Sequence, residues 1–169
     1  MMGKLLQNKR IYIGLIVLII VGATLYAAWR DQQKTDAIKI PPNISSSLLF
    51  TPYLPTVMPK GYSIDQDSFK IQETALLFTA SNEDKSNQFV FSEQAVPKDV
   101  DVEAFFGSSV SDPTRLEGLR YKTLFGQLHA SKGTLTSIVT TDDTWILITT
   151  PQPAAKADAQ TIEEGLVRQ

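Results

Sequence analysis

Residues 11 to 29, "IYIGLIVLIIVGATLYAAW", run for nineteen positions without a charged side chain. As an α-helix this stretch is about 28 Å long, close to the thickness of a hydrocarbon core. Lipid offers no partner for backbone amides, so a segment this apolar must satisfy them internally, as a helix does. Tyr12, Tyr26 and Trp29 fall near its ends, where aromatic rings favour the membrane interface. The expectation is a membrane helix over 11–29 that contacts the bilayer directly. A cleavable signal peptide is the rival, because "MMGKLLQNKR" is basic enough for an n-region. Cuts after Ala27 or Ala28 would place Leu25 or Tyr26 where a small residue is required, which favours a retained anchor.

Charge is divided unevenly along the chain. Residues 1 to 39 carry six Lys/Arg against two Asp, and residues 40 to 169 carry ten against sixteen Asp/Glu, so the net −2 is a basic head on an acidic body. An acidic body repels phosphate backbones, which argues against nucleic acid as a partner. Lys4, Lys9 and Arg10 precede the apolar stretch, and Arg30, Lys34 and Lys39 follow it. The short tail with Lys9 and Arg10 against the helix is expected to stay in the cytoplasm, and the body to lie outside it, at the plasma membrane of a single-pass protein. Cysteine is absent, which removes disulfides, thiolate nucleophiles and zinc–thiolate sites from consideration.

Four segments are expected: a cytoplasmic tail at 1–10, the membrane helix at 11–29, a linker at 30–51 and an extracytoplasmic domain at 52–169. The linker contains Pro41-Pro42 and Ser45-Ser46-Ser47, which resist helix and strand alike. The body opens with "TPYLPTVMPKGYSI", where Pro52, Pro55 and Pro59 favour an extended strap and Gly61 a turn. Alternating runs predict strands over 64–72, 75–81 and 88–94, with a hairpin loop at 81–87. Val102, Phe105, Phe106 and Val110 recur at helical spacing behind a cap at Asp99 or Asp101, and Asp112-Pro113 ends that helix. Strands follow over 120–126, over 127–141 with a break near Gly133, and over 144–150. A closing helix over 154–168 aligns Ala155, Ala159, Ile162 and Leu166. The fold class is α+β: a βββα-βββα antiparallel sheet with its helices packed on one face.

The most chemical-looking residues each have a plainer use. Asp142 and Asp143 sit in "TTDDT", the composition of a tight turn between two strands. Paired carboxylates can share a proton or hold a metal, but both uses need partners from elsewhere. His129, the lone histidine, lies in an alternating stretch on the polar side with Gln127 and Ser131. A Ser-His-Asp arrangement would need it, yet no Gly-x-Ser-x-Gly elbow occurs, and Ser131 and Ser137 stand out from no other hydroxyl. "DQDS" (65–68) and "SNED" (81–84) lack the spacing of a calcium loop. The nine glycines form no phosphate-binding pattern. No catalytic, cofactor-binding or metal-binding residue is therefore expected, and no cofactor.

Pro55, Met58, Pro59, Gly61 and Tyr62, with Trp145 and the Ile162/Leu166 helix, form a pattern that resembles a bacterial family of unknown function. Its members are extracytoplasmic domains behind a single membrane helix, and the likeness spans 52–168. Some relatives belong to anti-sigma or envelope-stress proteins, but a ten-residue tail is too short to hold a sigma factor. The resemblance implies no catalytic residues. The expected function is a non-enzymatic interaction module of the cell envelope, binding an envelope protein or ligand. The alternatives are an envelope hydrolase or transferase built on carboxylates, and a pilin-like subunit, whose expected Gly-Phe junction and following glutamate are missing around Gly14-Leu15.

Overall fold

A computed structural model describes residues 38–129, 134–150 and 156–169. The expected membrane helix at 11–29 lies outside the described residues, as do Ser131, Gly133 and Ala155. Among the described residues no helix is long and apolar enough to cross a membrane. Residues Lys39–Gln169 form one unit, so 39–51 of the expected linker belongs to the folded body. Ile40 is buried, the Gln66 Nε2 donates to the Lys39 carbonyl at 2.7 Å, and Pro42–Ser45 forms a single helical turn, α1. The Pro-Pro pair does not prevent this, because Pro42 occupies the first helical position, where its missing N–H is not needed.

The elements after α1 are β1 (Tyr53–Pro55), β2 (Tyr62–Ile64), a 3-10 turn (Gln66–Ser68), β3 (Lys70–Gln72), β4 (Ala75–Asn82) and β5 (Gln88–Ala95). Then come α2 (Val102–Ser109), β6 (Val110–Leu116), β7 (Lys122–Leu128), β8 (Leu135–Thr140), β9 (Thr144–Thr150), α3 (Lys156–Glu164) and β10 (Leu166–Arg168). Among the described residues one antiparallel sheet runs β2-β4-β5-β9-β8-β7-β6, with β3 also on β4. A separate antiparallel ribbon joins β1 to β10. The α+β class expected from the pattern is what the molecule has.

Register separates the two faces of the sheet. Leu76, Glu93, Ile146, Val139 and Thr123 are aligned across β4, β5, β9, β8 and β7. With their period-two neighbours they form one face, where Phe69, Phe78 and Phe91 stack at 5.0 and 4.5 Å. The other face presents Leu124, Ile138 and Trp145, which cluster with Phe106 of α2 and Val110.

The expectation that both helices share one face is corrected here. α2 covers the Ile138/Trp145 face. The β1–β10 ribbon and α3 cover the opposite one: the Tyr53 N–H reaches Glu93, the Thr144 hydroxyl reaches the Thr51 carbonyl, and Glu163 neighbours Ser137. A strand exposes alternate side chains on both faces, and here both sets are apolar enough to need a cover. The helical stripe of α3 behaves as expected, with Ala159 and Ile162 buried. The helix stops at Glu164, however, and Leu166 lies in β10.

Two further elements differ from expectation. The strand expected over 64–72 is broken by the 3-10 turn, where the Asp65 carboxylate accepts from the Asp67 N–H. Ser68 bridges the break, its hydroxyl accepting the Thr79 N–H at 2.9 Å. The stretch after α2 is the edge strand β6, which tolerates Pro113 because the register shifts between Ser111 and Thr114.

Candidate functional site

Asp142 and Asp143 lie at the β8–β9 corner. The Thr141 N–H donates to the Thr144 carbonyl at 3.0 Å, and the Thr144 N–H returns to the Thr141 hydroxyl at 2.9 Å. Asp142 is exposed. Asp143 is a fastener: its carboxylate accepts from the Thr51 hydroxyl at 2.8 Å and the Thr144 hydroxyl at 3.2 Å. Arg168 lies 3.8 Å away and donates to the Thr51 hydroxyl. The Thr51 hydroxyl is the main cause that holds the Asp143 carboxyl below the usual carboxylate range, with Thr144 and Arg168 assisting. The corner thus ties the lead-in, the sheet and the last strand together.

The remaining candidates are scattered. His129 is exposed in the turn after β7, its N–H on the Ser109 carbonyl. Ser131 lies outside the described residues. Asp65 caps the 3-10 turn and pairs with Lys85 at 3.8 Å. Asp84 accepts the Ser86 N–H inside the β4–β5 hairpin, and that serine lowers its pKa. Among the described residues no three acids or histidines gather as a metal site.

Two acids absent from the sequence candidates are the most perturbed. Glu93 on β5 has no exposed surface. Its Oε2 accepts the Tyr53 N–H at 2.9 Å, while Oε1 has no partner among the described residues. Burial pushes its pKa up to about 8 against the opposing pull of the Tyr53 amide. Glu163 on α3 is 3% exposed, and among the described residues only the Ser137 hydroxyl comes near its carboxylate, outside good hydrogen-bonding geometry. Burial raises it to about 7; the nearby Ser137 hydroxyl opposes this, and Glu164 adds to it. Neither acid is among the groups that shift the other. Both were legible: Glu93 shares the parity of Phe89 and Phe91, and Glu163 lies four residues after Ala159 on the buried stripe.

No family model, curated protein or solved structure matches this chain. The surface itself therefore has to indicate what it can bind.

α2 leaves part of its sheet face open. Between its Phe105 and the sheet lies a cleft of about 110 Å³, lined by Ser92, Gln94, Phe105, Ile138, Trp145 and Leu147. Phe105 is 50% exposed although its ring meets Trp145 edge-on at 5.2 Å, and Val90, on the same face of β5, is 40% exposed. A second groove, of about 400 Å³, runs between Ser47–Phe50, Ile71–Thr74 and Gln94–Pro97. Gln94 borders both. Neither hollow is lined by Glu93 or Glu163.

Proposed function

We propose that the chain is a membrane-anchored module of a bacterial cell envelope, carried outside the cytoplasm, that acts by binding a protein partner and performs no catalysis. The cleft under Phe105 carries this reading. Its volume suits one apolar side chain better than a metabolite, since small-molecule sites commonly enclose several hundred cubic ångströms. An exposed phenylalanine beside a buried tryptophan is the kind of aromatic anchor that dominates protein interfaces. The uncharged stretch at 11–29 supports the anchor, Lys9 and Arg10 directly before it on a short tail support the orientation, and the resemblance over 52–168 supports the class of domain.

A carboxylate-based envelope hydrolase is the second reading, motivated by the raised pKa values of Glu93 and Glu163. Against it, both acids are buried, Glu93 under the β1–β10 ribbon and Glu163 on the face of α3 that meets the sheet, and neither lines a hollow.

A photocrosslinking residue at Val90, introduced into the full chain in intact cells, tests the choice. The expected result is one dominant protein adduct that disappears when Phe105→Asp is added. Turnover of an envelope substrate by the purified chain, abolished by Glu93→Gln or Glu163→Gln with the fold retained, would replace this reading with the enzymatic one.

A further inference from the structure

The segment between α1 and β1 has an unusual surface. Leu49 is 91% exposed, the most exposed of the large apolar side chains among the described residues. With Leu48, Phe50 and the 39% exposed Ile71 it borders the groove of about 400 Å³. Two of the three neighbouring serines, all exposed, donate within their own helical turn: Ser45 to the Pro42 carbonyl and Ser47 to the Asn43 carbonyl. Each hydroxyl already bonded within the chain lowers the cost of moving the adjoining apolar tip out of water.

The position of this tip in the chain indicates what covers it. The folded unit begins at Lys39, not at residue 52, so only residues 30–38 separate it from Trp29 at the end of the apolar stretch. Nine residues reach at most about 30 Å when fully extended. Lys39 and Ile40 are held to the body through Gln66 and by burial, so the body hangs from a point ten residues before Leu49. If residues 11–29 are held in a bilayer, a tether this short limits how far the start of the body can stand from it.

From these observations we infer that Leu48, Leu49 and Phe50 form a foot that inserts into the interfacial layer of the membrane to which the chain is anchored. This rests on the anchor reading of residues 11–29 given above. The foot carries no Lys or Arg, and the adjoining groove contains Glu73. Its lipid contact is therefore apolar and works on zwitterionic phosphatidylcholine without help from anionic lipid. Docked in this way, the foot sets the orientation of the body and leaves the Phe105 cleft at the other side of Gln94 for a partner.

The chain has no cysteine, so single-cysteine variants report one position each. Full-length Leu49→Cys, Ile19→Cys and Glu83→Cys are labelled with an environment-sensitive fluorophore and reconstituted into phosphatidylcholine vesicles. The lipid carries a spin-label quencher near the top of its acyl chains in the vesicles that read Leu49 and Glu83, and near the end of its acyl chains in those that read Ile19, which is at mid-span. Glu83, exposed in the β4–β5 hairpin, is the water reference. The foot predicts quenching at Leu49 more than about twofold above that at Glu83, together with quenching at Ile19. Quenching at Ile19 with Leu49 no different from Glu83 overturns the foot and leaves the anchor in place. Quenching at Leu49 with none at Ile19 keeps the foot and removes the anchor, and quenching at neither removes both. A label at Leu49 that shifts to the blue without being quenched is covered by protein, and also overturns the foot.

Discussion

At the residue scale, the two kinds of acid in this protein respond to pH in opposite directions. Glu93 has a raised pKa of about 8 in the folded state. Below its unfolded value near 4.5 it is neutral in both states, and its favourable folded environment is intact. As pH rises toward 8, only the unfolded chain can ionise freely, so stability falls. Glu93→Gln should match the parent near pH 5 and exceed it by about 2 kcal/mol at pH 8, since every tenfold change in proton affinity on folding corresponds to about 1.4 kcal/mol and part is lost to relaxation. Urea unfolding at the two pH values measures the difference. Asp143 has a lowered pKa, so its contribution is present above about pH 4 and is lost as pH falls through its folded value. Asp143→Ala and Thr51→Ala should each destabilise by about 1 to 2 kcal/mol at neutral pH, through a lost charge-assisted hydrogen bond. Their double variant should cost clearly less than the sum, and a thermal denaturation cycle reads that coupling.

At the element scale, stability is concentrated where a cover meets the sheet. Phe106→Ala should cost about 3 to 4 kcal/mol, because this ring of α2 is almost fully buried among Val110, Leu124, Ile138 and Trp145; urea unfolding measures it. Gly165 is the clasp between α3 and the lead-in. Its carbonyl accepts both the Thr56 N–H at 2.8 Å and the Thr56 hydroxyl at 2.9 Å. A Cβ there would stand 2.9 Å from the Val57 backbone nitrogen, so Gly165→Ala should loosen β1 and β10 together, seen as faster amide exchange at Tyr53 and Arg168. Much of this framework was readable. The alternation in β4 and β5, the apolar run of β9, the Asp101 cap that accepts the Glu103 and Ala104 amides and the strap at 52–55 all follow from local chemistry. Which face each helix covers was not, because it depends on strand order, and β5 pairs with β9 across all the chain that builds α2, β6, β7 and β8. β6 was hidden by Pro113, which reads as a stop unless the strand is known to lie at a sheet edge. The candidate site was half legible: parity places Glu93 and Glu163 inside, but nothing in the local pattern indicates that Phe105 would stay half-exposed over Trp145.

At the scale of the whole molecule, an apolar segment precedes an acidic body, Lys39 to Gln169, that presents one aromatic cleft. Lys122 and Arg115 both pair with Glu103 of α2, and Lys122 is the main cause of its lowered pKa. All three side chains are substantially exposed, so such pairs add little individually, and the packed faces hold the fold. The proposed function places this body beyond the cytoplasm while the chain remains in the membrane. Labelling Glu83→Cys with a membrane-impermeant maleimide in intact spheroplasts tests it most directly. The prediction is full labelling before lysis, on a full-length product recovered in the membrane pellet; labelling that begins only after lysis, or a labelled product in the aqueous fraction, would contradict it.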